Sequence, residues 1–460
     1  MNKPDDSFEG EWWQAANPEL RIGGILELCD KFELRLWGTI GDKGFPPLKA
    51  GFDSQIFHGQ SLGNSLTLFD GHLPSTRVSS GGGSVVLFRI PLAFIGSYWL
   101  DDKEEAKFDR VCANIDNLVE WSNQRRMVGR HPTGKTVLEY TRPDPAVATI
   151  DGTTITLSEG LATRERIYSA QWDVEANLNL ELATPEDVHE IDYKYIRPFR
   201  YLLNLATGSA SAAGRLRVAN PAHLDDPSLR WLDTYVYGRN RPVAKAIEPS
   251  LSANMLFTLQ DIDFAKVVPR WYQLVEQLGI ACDLLFSINA PENIFVGNQM
   301  FNVASAAEGI HQRLYPEADK KSPEYKRRLN EILSAVPEAH SSWLKASLQS
   351  SHRLTFAQRL DQLIDRAGSA VHPFVGDRAK WIKCVKDIRN QIAHALRERY
   401  SFETDVVKLA WLTATVDVLL RIVLLRELGF SDAECVTMAD KNRQWTHLKR
   451  ILPAEVPEIF

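Results

Sequence analysis

The period of the hydrophobic pattern changes once along this 460-residue chain, and that change divides what the chain can fold into. From residue 8 to about 180 the text alternates apolar and polar residues: "LRIGGILEL", "FELRLWGTI", "SLTLFDG", "SVVLFRI", "KTVLEYT" and "TTITLSEG", each bounded by Gly, Pro, Asn or Asp. A period of two is the signature of half-buried strands. A helix is expected at "PEDVHEIDYKYIRPFRYLLNLATG", followed by one more strand at "RWLDTYVYG". After "GRNRPVAKAIEPSLSANM" the period becomes helical and stays so to the end, which puts the boundary near 240–255. The expectation is an α+β multidomain chain with a β-rich N-terminal domain over 1–245 and an all-α helical bundle over 250–460. Helices are expected at about 262–287, 299–315, 323–335, 341–350, 354–367, 377–398 and 403–428, the last stopped by Gly429.

Composition narrows the class. Cys29, Cys112, Cys282, Cys384 and Cys435 stand far apart with no Cys-x-x-Cys pair, which suggests neither a disulfide framework nor a thiolate zinc site. A reducing cytoplasm is the expected compartment. The start, "MNKPDDSFEGEWW", is acidic and polar where a secretory signal needs a basic start and an apolar run. The longest apolar stretch, "LAWLTATVDVLLRIVLLRELGF" from residue 409, carries Asp417 and Arg421 near its middle, so it reads as a core helix and no membrane partner is expected. Net charge is −6, yet it is unevenly spread: residues 351–400 hold 10 Lys and Arg against 5 Asp and Glu. Anything that binds phosphate is expected there.

Within that basic stretch lies "KCVKDIRNQIAHALRE", residues 383–398. On a helical wheel of about 100° per residue, Val385, Ile388, Ile392 and Leu396 gather as a core stripe. Asn390 lies about 100° and His394 about 140° from Arg389, and the three are expected to fan across the opposite, basic side with Lys386 and Arg397. Arg389 and His394 are about 7–8 Å apart along the axis. Such a set suits RNA cleavage without metal. A histidine can take a proton from a ribose 2′-hydroxyl or give one to the leaving 5′-oxygen. An arginine can grip the scissile phosphate as charge develops on it, and Asn390 can orient either group. One such helix offers a single acid–base residue, whereas in-line displacement needs proton transfer on both sides. Two copies facing each other across a dimer would supply both.

Arg-x-x-x-x-His is a weak pattern by itself and recurs at Arg126 and His131, where Gly129 and Pro132 indicate a loop. "SSGGGSVVLF" at 79–88 lacks phosphate-loop spacing and precedes a strand, so Gly81, Gly82 and Gly83 read as a turn. His340, His352 and His372 have no metal-ligand spacing, and neither a metal nor any cofactor is expected. Trp12, Trp13 and Trp37 read as core side chains of strands.

"IRNQIAHAL", in the penultimate long helix of an all-α domain, resembles the R-(polar)-x-x-x-H signature of HEPN ribonucleases. "NVASAAEGIHQRLY" at 302–315, "TFAQRLDQLID" at 355–365 and "LAWLTATVDVLLRIVLLRELGFS" at 409–431 resemble successive helices of the Apea-like HEPN family. "FEGEWWQAANPELRIGGILEL" resembles the β-rich domain that precedes HEPN in those anti-phage proteins. The resemblance implies that Arg389 and His394 are the catalytic pair and Asn390 its polar companion. Glu308, in "AEGIH", takes the place of an acidic residue on an earlier helix, either holding Arg389 or His394 or standing as a solvated glutamate. His311 and Arg313 read as surface residues. The family implies a metal-independent endoribonuclease acting as a HEPN homodimer, an anti-phage toxin that halts growth of an infected bacterium in abortive infection. Its substrate would be RNA, tRNA and mRNA being candidates, and a phage-derived trigger would act at the N-terminal domain.

A second reading stays open: a HEPN fold kept for dimerisation or docking, without catalysis, in a sensor that recognises a phage component. A nucleotide-dependent enzyme is disfavoured because no phosphate-loop spacing is present.

Overall fold

The computed structural model describes residues 7–28, 32–38, 55–78, 84–122, 127–134, 137–166, 168–220, 224–226, 229–237, 254–289, 295–394 and 402–460. Gly81, Gly82, Gly83, Arg126 and Cys29 lie outside them. The chain forms two compact units: one of residues 1–203, 211–251 and 258–269, the other of 204–210, 252–257 and 270–460. The architecture is α+β, strand-rich in the first unit and helical in the second.

In the first unit, β1 (Ser7–Gln14), β2 (Asn17–Glu27), β3 (Glu33–Trp37), β4 (Gln55–Ser61), β5 (Asn64–Val78) and β6 (Ser84–Arg89) pair in the order β5-β4-β1-β2-β3-β6, and β6 pairs back with β5. The ring therefore closes into a barrel without free edges. Its inward residues alternate along each strand and include Trp12, Leu26, Leu34, Leu36, Phe57, Leu66, Leu68 and Phe88. Gly59 sits opposite Trp12 in the ladder, and a Cβ there would come within 2.3 Å of the indole, so only glycine lets this ring fill the barrel. Trp12 and Trp13 are core residues as expected; Trp37 is half exposed, because β3 turns it to the outer face.

The first half of β5 also pairs with β7 (Leu92–Gly96), which starts a second run: β8 (Lys107–Ile115), β11 (Ala146–Ile150), β12 (Thr153–Arg166), β13 (Ser169–Asp187), β14 (Ala213–Ala219) and β15 (Trp231–Val236), in the order β7-β15-β14-β8-β13-β12-β11. β9 (Met127–Arg130) and β10 (Val137–Tyr140) form a separate hairpin. Three short helical pieces accompany the sheet: α1 (Leu118–Ser122), α2 (Val188–Ile191) and α3 (Arg197–Thr207). β4, β7, β8, β9, β11, β13 and β14 were not among the segments read as strands.

The second unit is built on α4 (Phe264–Leu278) from Arg270 onward, α5 (Ile280–Ser287), α6 (Val296–Leu314), α7 (Pro323–Ser334), α8 (Glu338–Ser347), α9 (Phe356–Ala367), α10 (His372–Val375), α11 (Arg378–His394), α12 (Phe402–Leu428), α13 (Asp432–Lys441) and α14 (Arg443–Glu455). The single helix expected at 262–287 is two, because Gly279 takes φ +54° and breaks the run. α13 and α14 were not anticipated. Each opens on a side-chain cap: Ser431 accepts from the Glu434 amide, and Asn442 from the Trp445 amide. α12 is the central helix, with Leu412, Val416, Leu419, Leu420, Val423 and Leu424 fully buried. α7 and α8 carry no buried residue.

Arg421 sits inside α12 only 1% exposed, and its charge is met on every side. Nε donates to both Asp417 carboxylate oxygens at 2.8 and 3.0 Å. Nη1 donates to the Asn204 carbonyl at 2.7 Å and Nη2 to Asn204 Oδ1 at 3.0 Å. The two charges that disqualified this segment as a membrane span form a buried ion pair instead. No helix among the described residues is long and apolar enough to cross a membrane.

Candidate functional site

α11 starts at a defined cap. Gly376, at φ +57°, ends α10, and the Asp377 side chain then accepts from the Lys380 amide at 3.1 Å. That backbone hydrogen bond holds the Asp377 carboxyl below its ordinary range. From the cap the helix buries Trp381, Val385 and Ile388, and Trp381 Nε1 donates to Thr415 Oγ1 on α12 at 2.9 Å. Ile392 is half-buried, and Leu396 lies outside the described residues.

Arg389 does not face away from this stripe, as expected from the wheel. At about 100° per residue it stands about 40° from Val385, on the flank of the buried face, while His394 is about 180° from Val385. The guanidinium accordingly lies in the seam between three helices. Its Nη2 donates to Glu308 Oε2 on α6 at 2.9 Å, and its Nη1 to Asn390 Oδ1 at 3.2 Å. Its Cζ is 5.5 Å from the centre of the Phe356 ring on α9, within the range of a cation–π contact. Phe356 is placed by a capping box, in which Thr355 Oγ1 accepts from the Gln358 amide and Gln358 Oε1 from the Thr355 amide. The Arg389 side chain keeps 25% of its surface exposed and that of Glu308 32%. Arg389 Nε is buried without a hydrogen-bond partner among the described residues.

Arg389, Asn390 and Glu308 are therefore brought together. His394 is the last residue described in α11, on the same helix, but its side chain lies outside the described residues. The recurrence of the pattern is separate: His131 follows β9 in the first unit, and its Arg126 is outside the described residues.

A second polar cluster lies beside this one on the same helices, and the sequence reading missed it. His311, three residues after Glu308, is fully buried where a surface residue was expected. Its Nδ1 is 3.0 Å from Arg359 Nη1, its Nε2 is 2.8 Å from Gln362 Oε1, and its ring stacks on Tyr315 at 4.6 Å. An arginine can only donate, so Nδ1 carries the lone pair and Nε2–H donates to Gln362. The imidazole is neutral, and burial, aided by the Arg359 charge, holds its pKa below the ordinary histidine value. Arg359, 2% exposed, also donates from Nη2 to Asp319 Oδ2 at 2.6 Å. The spacing that announced it was present: Glu308 and His311 stand at a helical interval on α6, whose C-cap is Tyr315, as Phe356, Arg359 and Gln362 do on α9. Arg313 is on the surface, its Nη1 donating to the Gln277 carbonyl at 2.7 Å. Among the described residues no group of His, Cys, Asp or Glu could hold a metal ion.

The site and most of both units fall within two family matches. Residues 7–271 match the family described as ApeA N-terminal domain 1, and residues 301–434 match Apea-like HEPN, which spans Glu308, Arg389, Asn390 and His394. The chain belongs to the ApeA family: a β-rich N-terminal domain joined to a HEPN helical domain. Among curated proteins nothing matches the chain.

Proposed function

We propose that this protein is an anti-phage toxin whose HEPN domain is a metal-independent endoribonuclease. HEPN domains are generally associated with ribonuclease activity. The observation that carries the reading here is the Glu308–Arg389–Asn390 group, set at the seam of α6, α9 and α11 on the helix that also bears His394. A helix needing only packing has no use for an arginine held this way with one nitrogen left without a partner among the described residues.

In the proposed reaction the ribose 2′-oxygen attacks phosphorus, and the P–O5′ bond breaks. His394 accepts the 2′-hydroxyl proton, and the second copy's His394 supplies one to the departing 5′-oxygen. Arg389 meets the charge that develops on the phosphoryl oxygens, Glu308 positions Arg389, and Asn390 orients it. The products are a 2′,3′-cyclic phosphate and a 5′-hydroxyl. Homodimerisation through the HEPN domain completes the site, a phage-derived component engages the N-terminal domain, and cleavage of tRNA or mRNA stops the infected cell in abortive infection.

A non-catalytic HEPN-fold sensor is the alternative, and one observation favours it: both terminal nitrogens of Arg389 are already engaged by Glu308 and Asn390. Incubating purified protein with RNA in EDTA separates the two readings. Cleavage that survives chelation and leaves cyclic-phosphate ends supports the ribonuclease. Cleavage that stops in EDTA and returns with magnesium, or 5′-phosphate ends, would overturn the mechanism; no cleavage by the activated protein leaves the sensor.

A further inference from the structure

In the sheet of the first unit, β14 and β15 alternate in the ordinary way, with Leu216, Val218, Leu232, Thr234 and Val236 turned into the core at 3% exposure or less. The opposite face is not the usual mixture of Lys, Glu and Thr. It presents Arg215, Arg217, Trp231, Asp233 and Tyr235, five residues that share one face because their positions differ by two along paired strands. These five line an open cavity of about 550 Å³, in the size range of small-molecule sites.

The charges in it are arranged unequally. Arg215 is clamped to Asp233, with Nε and one terminal nitrogen donating to the two carboxylate oxygens at 2.8 and 3.0 Å. Arg217 has no carboxylate partner among the described residues. Its Nη2 donates to the Cys112 sulfur at 3.0 Å, and its Cζ is 5.6 Å from the Trp231 ring centre. Burial pushes the Cys112 thiol up, so the group beside Arg217 is neutral and the guanidinium charge is left for a ligand. On the rim, Leu62 holds φ +45° with 95% of its surface exposed, a backbone conformation and an exposure that leucine rarely combines.

We propose that this cavity binds a nucleotide, with Arg217 taking the phosphate and Trp231, Tyr235 and Leu62 receiving the base. A fork-shaped cation without a carboxylate partner matches a phosphate. Aromatic rings beside it match a planar base, and neither feature is needed by the sheet itself. Phosphate-loop spacing is lacking because side chains, not a backbone cradle, hold the phosphate here. The proposal is independent of whether the HEPN domain cuts RNA.

The test is calorimetric titration of the full-length protein with AMP, GMP, CMP, UMP and ATP, and with adenosine and inorganic phosphate as half-ligands. At least one nucleotide is expected to bind, with the nucleoside and the phosphate each at least ~10-fold weaker. Arg217→Gln and Trp231→Leu should each weaken it by ~10-fold or more, while binding persists in His394→Ala, which excludes the HEPN site as its location. If Arg217→Gln does not fold, Arg215→Gln and Trp231→Leu, both on the open face, serve in its place. No binding by any of the five nucleotides at millimolar concentration overturns the proposal. So does nucleotide binding that is indifferent to the cavity variants or lost in His394→Ala.

Discussion

Glu308 Oε2 on α6 accepts from Arg389 Nη2 on α11 across 2.9 Å, and this pair fixes where the guanidinium points. Both side chains keep a quarter to a third of their surface, so the pair is partly screened and worth about 1 kcal/mol or less in stability. Its larger effect is on position. Glu308→Ala should lower RNA cleavage by ~10-fold while shifting the melting temperature little, and Glu308→Gln, which keeps an acceptor oxygen, should restore most of the rate. Cleavage rates equal to wild type in Glu308→Ala would assign Glu308 to the surface.

His394→Ala and Arg389→Ala test the chemistry directly. Loss of an acid–base group or of the phosphoryl grip costs ~10²–10⁴-fold in rate. The two differ in their structural cost. Arg389→Ala removes a partner of Glu308 and the cation over Phe356, so a small fall in stability, about 1 kcal/mol, should accompany its loss of activity. Arg126→Ala and His131→Ala, which share the spacing in the other unit, should change cleavage little. Folded His394→Ala that cleaves at the wild-type rate would leave the sensor reading.

What was legible in the sequence was whatever repeats within one element. The shift from a period of two to a helical period is such a signal, and so is the apolar stripe of Trp381, Val385 and Ile388 in α11. What joins elements was not. β13 also pairs with β8 across the sheet, although its own text "SAQWDVEANLNLELATPED" alternates apolar and polar residues from Ala170 to Leu182 and carried the strand signal that was passed over. β12 is its hairpin neighbour, with Arg166 opposite Ser169, whereas the β8 pairing sets Leu178 opposite Ala113 and nothing in either segment's pattern names the other. The site divides the same way. Arg389, Asn390 and His394 were visible as one helical set, whereas the Arg389–Glu308 contact spans 81 residues and the His311–Arg359 contact 48. A histidine on an amphipathic helix gives no sign of which neighbour's arginine it will meet.

The Arg421 cluster gives a stability prediction. Arg421→Met removes a buried cation and leaves the Asp417 carboxylate without its donor, while the Asn204 oxygens keep Gly208 N–H and Asn289 Nδ2, which should cost about 3–5 kcal/mol. The double variant Arg421→Met with Asp417→Leu removes both charges and should recover part of that loss. Urea denaturation read by circular dichroism measures both; a single variant less than about 1 kcal/mol below wild type would contradict the assignment.

His311 supplies a pH dependence whose sign follows from its neutral state. In the folded protein Nδ1 faces the Arg359 guanidinium, itself tied to Asp319, and Nε2–H faces Gln362, so a second ring proton would be set against Arg359. The folded pKa is lowered, first by burial and then by Arg359, although Gln362 and Asp319 act in the opposite sense. The unfolded histidine titrates near its ordinary value of about 6.5. As pH falls below that value the unfolded state takes up a proton that the folded state refuses, and stability is lost by up to ~1.4 kcal/mol per pH unit; above it this contribution is fully present. His311→Gln offers Arg359 an acceptor and Gln362 a donor without titrating. It should therefore be less stable than wild type at pH 7.5, and the difference should shrink as the pH is lowered to 5. Denaturation midpoints measured across that range decide it: parallel curves for the two proteins would mean that His311 does not carry the dependence.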